Sequence, residues 1–377
     1  MITKAGGVDF VMRQAELWAK RGEEAHETRP RGPVREFHLE LTHRCNLKCV
    51  MCHHWEMPST DPASVGREMT LEEIKTLVSK AKALNEVETV VVTGGEPLLR
   101  PDIAAVLGVL AERFPKASIG VLTNFANTAM VRAAITAARA RGVSRLWLGS
   151  SLDGLEQTHD RVRGRRGAFR GLIKTAEMMR AEFPDVDFSF SFTITPDNYA
   201  QLLPAYRLVS EMGVWFGAQM VVNHEGLFAP GGAVFSWTEE QLSDIEDAIF
   251  EIIKDIALRE KAMSLIFEGR QKDGKALWSR LLYWKYLRDY VRSPKRFFKN
   301  CLAGERYAMF DPEGNLFFCP VNKHRTVGNA RDGGFDALWF SEKARSERSF
   351  VASGQCDCWL NCIANPILDR LIEGGAA

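Results

Sequence analysis

Three cysteines fall within eight residues. The stretch "CNLKCVMC" places Cys45, Cys49 and Cys52 three and then two residues apart. Thiolates so close in sequence, in a chain without signs of secretion, bind metal or do redox chemistry. A structural zinc site takes four ligands in paired short spacings. The neighbours on offer, His53 and His54, adjoin the last cysteine too closely to turn back on the same ion. Iron–sulfur clusters are held by thiolates in tight runs. Three thiolates on a four-iron cube leave one iron open, and an open coordination position marks a catalytic metal rather than a structural one. The other five cysteines, Cys301, Cys319, Cys356, Cys358 and Cys362, crowd the last fifth of the chain, and none lies between Cys52 and Cys301.

The 377 residues are 46% hydrophobic and 26% charged, as in ordinary globular proteins. Lys plus Arg number 49 against 48 Asp plus Glu, a net charge of +1, which gives no basic surface for nucleic acid. No apolar run approaches the ~20 residues of a membrane span. The first residues carry scattered charges and no apolar signal-peptide segment, so a reducing cytoplasmic setting is expected.

The elements that must position the cysteines follow from the apolar pattern. Short runs at 36–42, 88–94, 117–124, 144–153, 187–194 and 214–222 are rich in Val, Ile, Phe and Leu, as buried parallel strands are. Helical stretches near 71–84, 101–113, 128–141, 167–182 and 199–212 alternate with them, the first opened by Thr70 with Glu73 three residues on. Repeated strand-then-helix order implies an α/β fold with a parallel sheet. Periodicity alone leaves a partial barrel and an open doubly wound sheet both standing. In either, sites gather at the C-terminal strand ends. There lie "CNLKCVMC", "GGEP" (94–97), "TN" (123–124) and "SLDG" (151–154). Residues 223–300 are expected to be helical. Their aromatic, basic stretch "ALWSRLLYWKYLRDYVRSPKRFFKN" suits a packed connecting helix, with a membrane-surface or partner helix as the alternative. "DPEG" (311–314) signals a hairpin that brings Cys301 and Cys319 together.

The three-cysteine run after a first strand, with "TGGEPLLRPD" after the second, resembles the radical S-adenosylmethionine (SAM) superfamily. The resemblance covers roughly 36–222 and implies a partial (β/α)6 TIM-like barrel. It also implies that a [4Fe–4S] cluster on Cys45, Cys49 and Cys52 binds SAM at its open iron, and that reductive cleavage yields a 5′-deoxyadenosyl radical that abstracts substrate hydrogen. On this resemblance Gly94, Gly95, Glu96 and Pro97 receive SAM, with Glu96 accepting from its ammonium. Glycine lets backbone approach a ligand closely, and proline stiffens the turn. Asn124, Ser151 and Asp153 line the same rim. Arg163, in "THDRVRG" (158–164), faces the SAM carboxylate, and Met51 and His53 lie near the cofactor.

The C-terminal stretch, with "CDCWLNC", resembles the twitch and SPASM extensions that carry auxiliary [4Fe–4S] clusters. Five cysteines fall short of the full SPASM set and suit the twitch form with one auxiliary cluster. The expected ligands are Cys301, Cys319, Cys358 and Cys362. Cys356, separated from Cys358 by the single residue Asp357, is then the spare thiol and a candidate hydrogen donor to a substrate radical, which would give epimerisation. With no donor, the auxiliary cluster accepts an electron, which gives dehydrogenation or a crosslink. The expected organisation is a helical extension (1–35), the radical SAM barrel (36–222), a helical connection (223–300) and an auxiliary domain of hairpin plus helix (301–377).

Only residues 1–35 precede the first strand, too few for a precursor-binding domain. A small molecule such as a sugar, aminocyclitol or other metabolite is therefore the expected substrate, with peptide maturation as the alternative. Candidate substrate contacts are His53, Trp215, Gln219, Asn223, His224 and Glu225, the last two as a proton-handling pair. The family implies a flavodoxin or ferredoxin as electron donor. The readings outside this class are a non-catalytic iron–sulfur protein and a zinc module.

Overall fold

The computed structural model describes residues 4–26, 33–52, 54–222, 235–298 and 301–375. Each of the six expected apolar runs holds a strand: β1 (Glu36–Glu40), β2 (Thr89–Thr93), β3 (Ser118–Leu122), β4 (Leu146–Ser151), β5 (Asp187–Ile194) and β6 (Trp215–Met220). Every neighbouring pair is parallel and the order is sequential, β1 through β6. A doubly wound sheet would reverse order at a switch point. Sequential order without reversal is the partial-barrel solution.

Helices fill the crossovers. Leu71–Ser79 starts where expected: the Thr70 hydroxyl accepts from the Glu73 N–H, and the Thr70 N–H donates to the Glu73 carboxylate at 2.8 Å. That reciprocal box satisfies donors that helix geometry leaves orphaned. Alternate residues of β1 face these helices. Phe37 and Leu39 are fully buried, and the Phe37 ring meets Phe114, Phe310 and Phe335. The intervening residues, Glu36, His38 and Glu40, turn to the inner face. The strand register carries that inner row through Gly120, Gly149, Ser189 and Gly217. A Cβ on Gly120 would lie 2.1 Å from the Trp147 ring, and one on Gly217 2.3 Å from the Trp215 ring. The inner glycines therefore make room for two indoles.

The sheet does not stop at β1. Strand β7 (Tyr307–Phe310) pairs with it in parallel, Glu36 opposite Tyr307 and Leu39 opposite Phe310. Strands β8 (Asn315–Phe317) and β9 (Gly328–Asn329) follow antiparallel, which completes nine strands. The expected hairpin is β7–β8. Its turn is set by Asp311, whose Oδ1 accepts from the N–H groups of Glu313 and Asn315 at 2.9 Å each, and by Gly314 at φ 87°. Arg331 then ties the hairpin to the first crossover helix, donating to Glu73 at 2.6 Å and to the carbonyls of Glu313 and Arg67.

The aromatic stretch of the connecting segment is the helix Lys275–Arg292. It buries Trp278, Leu281, Leu282, Trp284 and Leu287 and packs between Glu239–Arg259 and Asn361–Gly375. It is a core helix, which removes the membrane-surface alternative. Among the described residues no helix is long and apolar enough to cross a membrane.

Phe37→Ala opens a cavity where three rings meet and is expected to cost about 3–5 kcal/mol in urea denaturation. The Glu73 carboxyl is held down at about 2, chiefly by Arg331 and then by the Thr70 N–H. Its stabilising effect is therefore full above 4.5 and fades as pH falls toward 2. The stability gap between wild type and Glu73→Gln should close over that window in acid denaturation.

Candidate active site

The loop after β1 carries Cys45, Cys49 and Cys52, all as free thiols. With Leu47, Met51, Val162, Ala168 and Val221 they form an apolar cluster separate from the main core. Burial is the largest influence on Cys45 and Cys52 and pushes their thiols up to about 11 and about 12. Protonated, buried thiols become ligands only when a metal displaces the proton.

Two neighbouring segments fix this loop. The first is "GGEP". Gly94 has φ 129°, and the Gly95 N–H donates to the Thr42 carbonyl at 2.8 Å. A Cβ on Gly94 would lie 2.6 Å from the Thr42 oxygen, and one on Gly95 2.3 Å from the Arg44 oxygen. The backbone of the cysteine loop approaches both glycines closely. Glu96 is 1% exposed. Its Oε1 accepts from the Leu98 N–H at 3.1 Å and its Oε2 from the Asn124 N–H at 2.8 Å. Burial raises its carboxyl above the ordinary range, against these donors. Both oxygens are thus engaged by backbone, and Glu96 joins the second and third strand ends. Pro97 opens a single buried turn behind it. Asn124 Nδ2 donates to Asn46 Oδ1 at 2.7 Å, which holds the cysteine loop from a third side.

The second segment is "THDRVRG". The N–H groups of Lys48 and Val50 donate to the carbonyls of Arg163 and Val162 at 3.1 and 3.0 Å. The Arg163 guanidinium is buried between two partners: Nη1 donates to Cys49 Sγ at 3.4 Å, and Nη2 pairs with the fully buried Asp153. Asp153 also accepts from the Thr193 N–H at 2.7 Å. His159 receives the Asp153 N–H on Nδ1 at 3.1 Å, and burial lowers it to about 3, so the ring is neutral. The Arg163 Nε is buried without a hydrogen-bond partner, and Ser151, half-buried, ends β4. The motif made Arg163 a SAM-carboxylate contact; the structure adds its pairing with Asp153 and Cys49, which no local pattern signals. Met51 is buried among the thiols at 3% exposure. His53, Asn223, His224 and Glu225 lie outside the described residues.

The second cysteine group sits at the other end of β1. Cys301 precedes β7, which starts level with Glu36, and Cys319 follows β8, which returns to the same level. Cys301, Cys319, Cys356 and Cys358 line one small apolar cavity with Phe297, Phe298 and Trp359. Cys362 lines an adjoining cavity with Glu36 and Tyr307 and stays within electrostatic reach of Cys319 and Cys358. Burial raises the thiols of Cys301, Cys319, Cys358 and Cys362. Cys356 is therefore grouped with the auxiliary thiols, a strand's length from the Cys45–Cys52 loop.

Between the two ends, the inner row supplies polar groups that the sequence reading missed. Lys323 Nζ pairs with the buried Glu40, and His54 Nε2 lies 3.8 Å from the same carboxylate. The alternation in "EFHLE" was the available signal, since it turns three polar residues to one face. Gln219 also belongs here, its Oε1 accepting from the Asn361 N–H at 3.3 Å, while Trp215 stands 39% exposed at the start of β6. Among the described residues no three Cys, His, Asp or Glu side chains gather tightly enough for a single metal ion. The donor sets are soft thiols around apolar spaces, three at one end and five at the other, and both suit iron–sulfur clusters.

A parallel partial barrel with a three-cysteine loop at its C-terminal rim and a second thiol group at its base defines a class of cluster-bearing enzyme. Residues 39–209 match the radical SAM superfamily and residues 301–362 the SPASM iron–sulfur cluster-binding domain. The chain is 26% identical over 314 residues to the AdoMet-dependent heme synthase of Methanosarcina barkeri, covering 80% of each. It is 24% identical over 349 residues to the mycofactocin maturase MftC of Mycobacterium tuberculosis, covering 89% of this chain and 78% of that protein. In fold it is similar to Streptococcus suis SuiB bound to S-adenosylmethionine, with a TM-score of 0.57 at 17% identity over 84% of this chain and 68% of that one. The chain carries a radical SAM domain and, at its C-terminus, a SPASM/twitch iron–sulfur domain. Its cofactors are a [4Fe–4S] cluster, SAM and auxiliary iron–sulfur.

Gly95→Ala drives a methyl group into the Arg44 carbonyl and is expected to abolish SAM binding in equilibrium dialysis while far-UV circular dichroism stays unchanged. Arg163→Gln leaves Asp153 buried without its cation. A loss of about 3–5 kcal/mol is expected in urea denaturation.

Proposed function

We propose that this enzyme abstracts hydrogen from a small-molecule substrate held inside the barrel and releases an oxidised product. The observation that carries the proposal is the placement of two thiol groups at opposite ends of β1 with a polar inner row between them. Cys45, Cys49 and Cys52 would hold the SAM-binding cluster, and Cys301, Cys319, Cys358 and Cys362 the auxiliary one. Bound there, the cofactors supply a 5′-deoxyadenosyl radical at the rim and a one-electron acceptor at the base. Arg163, held by Asp153, sets a positive charge against Cys49 and keeps the cysteine loop closed. Glu96 and Asn124 fix that loop to the second and third strand ends. Glu40 and Lys323 present an ion pair, and Gln219 an amide, to a substrate in the barrel.

Similarity to the heme synthase along most of both chains favours a small molecule. Similarity to MftC along most of this chain keeps peptide maturation as the second reading. Oxidation is favoured over epimerisation because Cys356 groups with the auxiliary thiols, far from the rim.

The test is anaerobic reconstitution followed by turnover in heavy water with candidate metabolites. About eight irons per chain are expected, as two four-iron clusters require, with 5′-deoxyadenosine and methionine formed on reduction. The product should carry no solvent deuterium and should be unchanged in Cys356→Ala. Solvent deuterium at the reacting carbon, lost in Cys356→Ala, would overturn oxidation in favour of epimerisation.

A further inference from the structure

Three side chains form a hydrogen-bonded chain at the base of the barrel, and a fourth lies beside it. Glu36 Oε1 lies 2.6 Å from His38 Nε2, His38 Nδ1 lies 3.2 Å from the Tyr307 hydroxyl, and the Tyr307 hydroxyl and the Cys362 thiol line one cavity and interact. His38 is 4% exposed and Tyr307 3%, and their ring centroids are 4.4 Å apart. The parallel register makes the contact: Glu36 stands opposite Tyr307, so Glu36, His38 and Tyr307 share the inner face. Cys362 enters from the first turn of the helix Asn361–Gly375. A buried phenol and imidazole satisfied this way are costly to assemble and rigid once made. Nothing in SAM binding at the rim uses them.

We propose that Tyr307 is a positioning residue for the auxiliary cluster: its hydroxyl donates to the Cys362 sulfur and raises the cluster's reduction potential, with His38 and Glu36 holding the hydroxyl in place. The inference rests on Cys362 being a cluster ligand. A ligating cysteine is a thiolate with no proton of its own. The Tyr307 O–H is then the donor in that contact, and His38, with a hydrogen on each ring nitrogen, donates from Nδ1 to the phenol oxygen and from Nε2 to the Glu36 carboxylate. An electron added to the cluster increases negative charge on sulfur, so a donor there stabilises the reduced form more than the oxidised one. Hydrogen bonds to cluster sulfur are among the factors that set such potentials. The effect favours electron acceptance, the direction an oxidising enzyme needs.

The experiment is a redox titration of the reconstituted full chain followed by electron paramagnetic resonance, with wild type, Tyr307→Phe and His38→Gln compared. Tyr307→Phe keeps the buried ring and removes only the O–H. Iron content should stay at the wild-type level, and the signal of the Cys45–Cys52 cluster should titrate unchanged. At the wild-type midpoint of the auxiliary cluster, its reduced-to-oxidised ratio should fall about tenfold, equivalent to ~59 mV. His38→Gln should shift it the same way by less. Unchanged auxiliary potentials in both variants, with full iron, would overturn the proposal while leaving Cys362 as a ligand. Cys362→Ala tests that assignment separately. Loss of the auxiliary signal and of iron is expected; full retention of both would overturn the assignment and the proposal with it.

Discussion

Four register pairs join β7 to β1, from Glu36 opposite Tyr307 to Leu39 opposite Phe310, and the rest of the arrangement follows from them. Because the pairing is parallel, β7 begins where β1 begins. Cys301, just before β7, and Cys319, just after the returning β8, therefore lie at the N-terminal edge of the sheet. The loop that carries Cys45, Cys49 and Cys52 leaves β1 at the opposite edge. One strand thus sets the separation of two cysteine groups that are far apart in sequence. The same register turns His38 and Tyr307 toward each other. The segment after Cys319 reaches back into the barrel, where Lys323 meets Glu40.

The energetics at the two ends differ in kind. At the rim, ion pairing and backbone hydrogen bonds immobilise a loop of buried thiols. Asp153 is fully buried and the Arg163 side chain is only 13% exposed, and the carboxylate is tolerable there because the guanidinium pairs with it. Glycines 94 and 95 matter because two loops cross at backbone contact distance. At the base, the thiols are surrounded by Phe297, Phe298 and Trp359, an environment that disfavours bare thiolates and so favours their ligation. The inner face between the ends sets the polar side chains Glu36, His38, Glu40 and Gln219 beside the indoles of Trp147 and Trp215, which the inner glycines accommodate.

Much of this was legible from residues alone. The β-rich runs, the Thr70–Glu73 start signal, the hairpin at "DPEG" and the three-cysteine loop all carry local patterns, and each element stands where its pattern put it. The strands came out shorter than the apolar runs, Leu146–Ser151 within 144–153 for example, because pairing ends before hydrophobicity does. What lacked a local signal was long-range. Nothing in "RYAMF" says that it pairs with "EFHLE" in parallel. Without that pairing His38, Tyr307, Glu40 and Lys323 are scattered polar residues. The roles of Gly95 and Glu96 were also only half visible. Glycine advertises a close approach without naming what approaches, and here it is the chain's own loop. Cys356 was set apart by its one-residue spacing from Cys358, yet it lines the same cavity.

The length of β1 separates the SAM-binding cluster proposed at the rim from the auxiliary cluster proposed at the base. The most direct measurement is the distance between the two reduced clusters by pulsed electron paramagnetic resonance on the reconstituted chain. A five-residue strand at ~3.3 Å per residue places them about 17 Å apart. A pair of interacting paramagnets near that distance is the expected result. A single cluster, or two separated by more than about twice that length, would contradict the account.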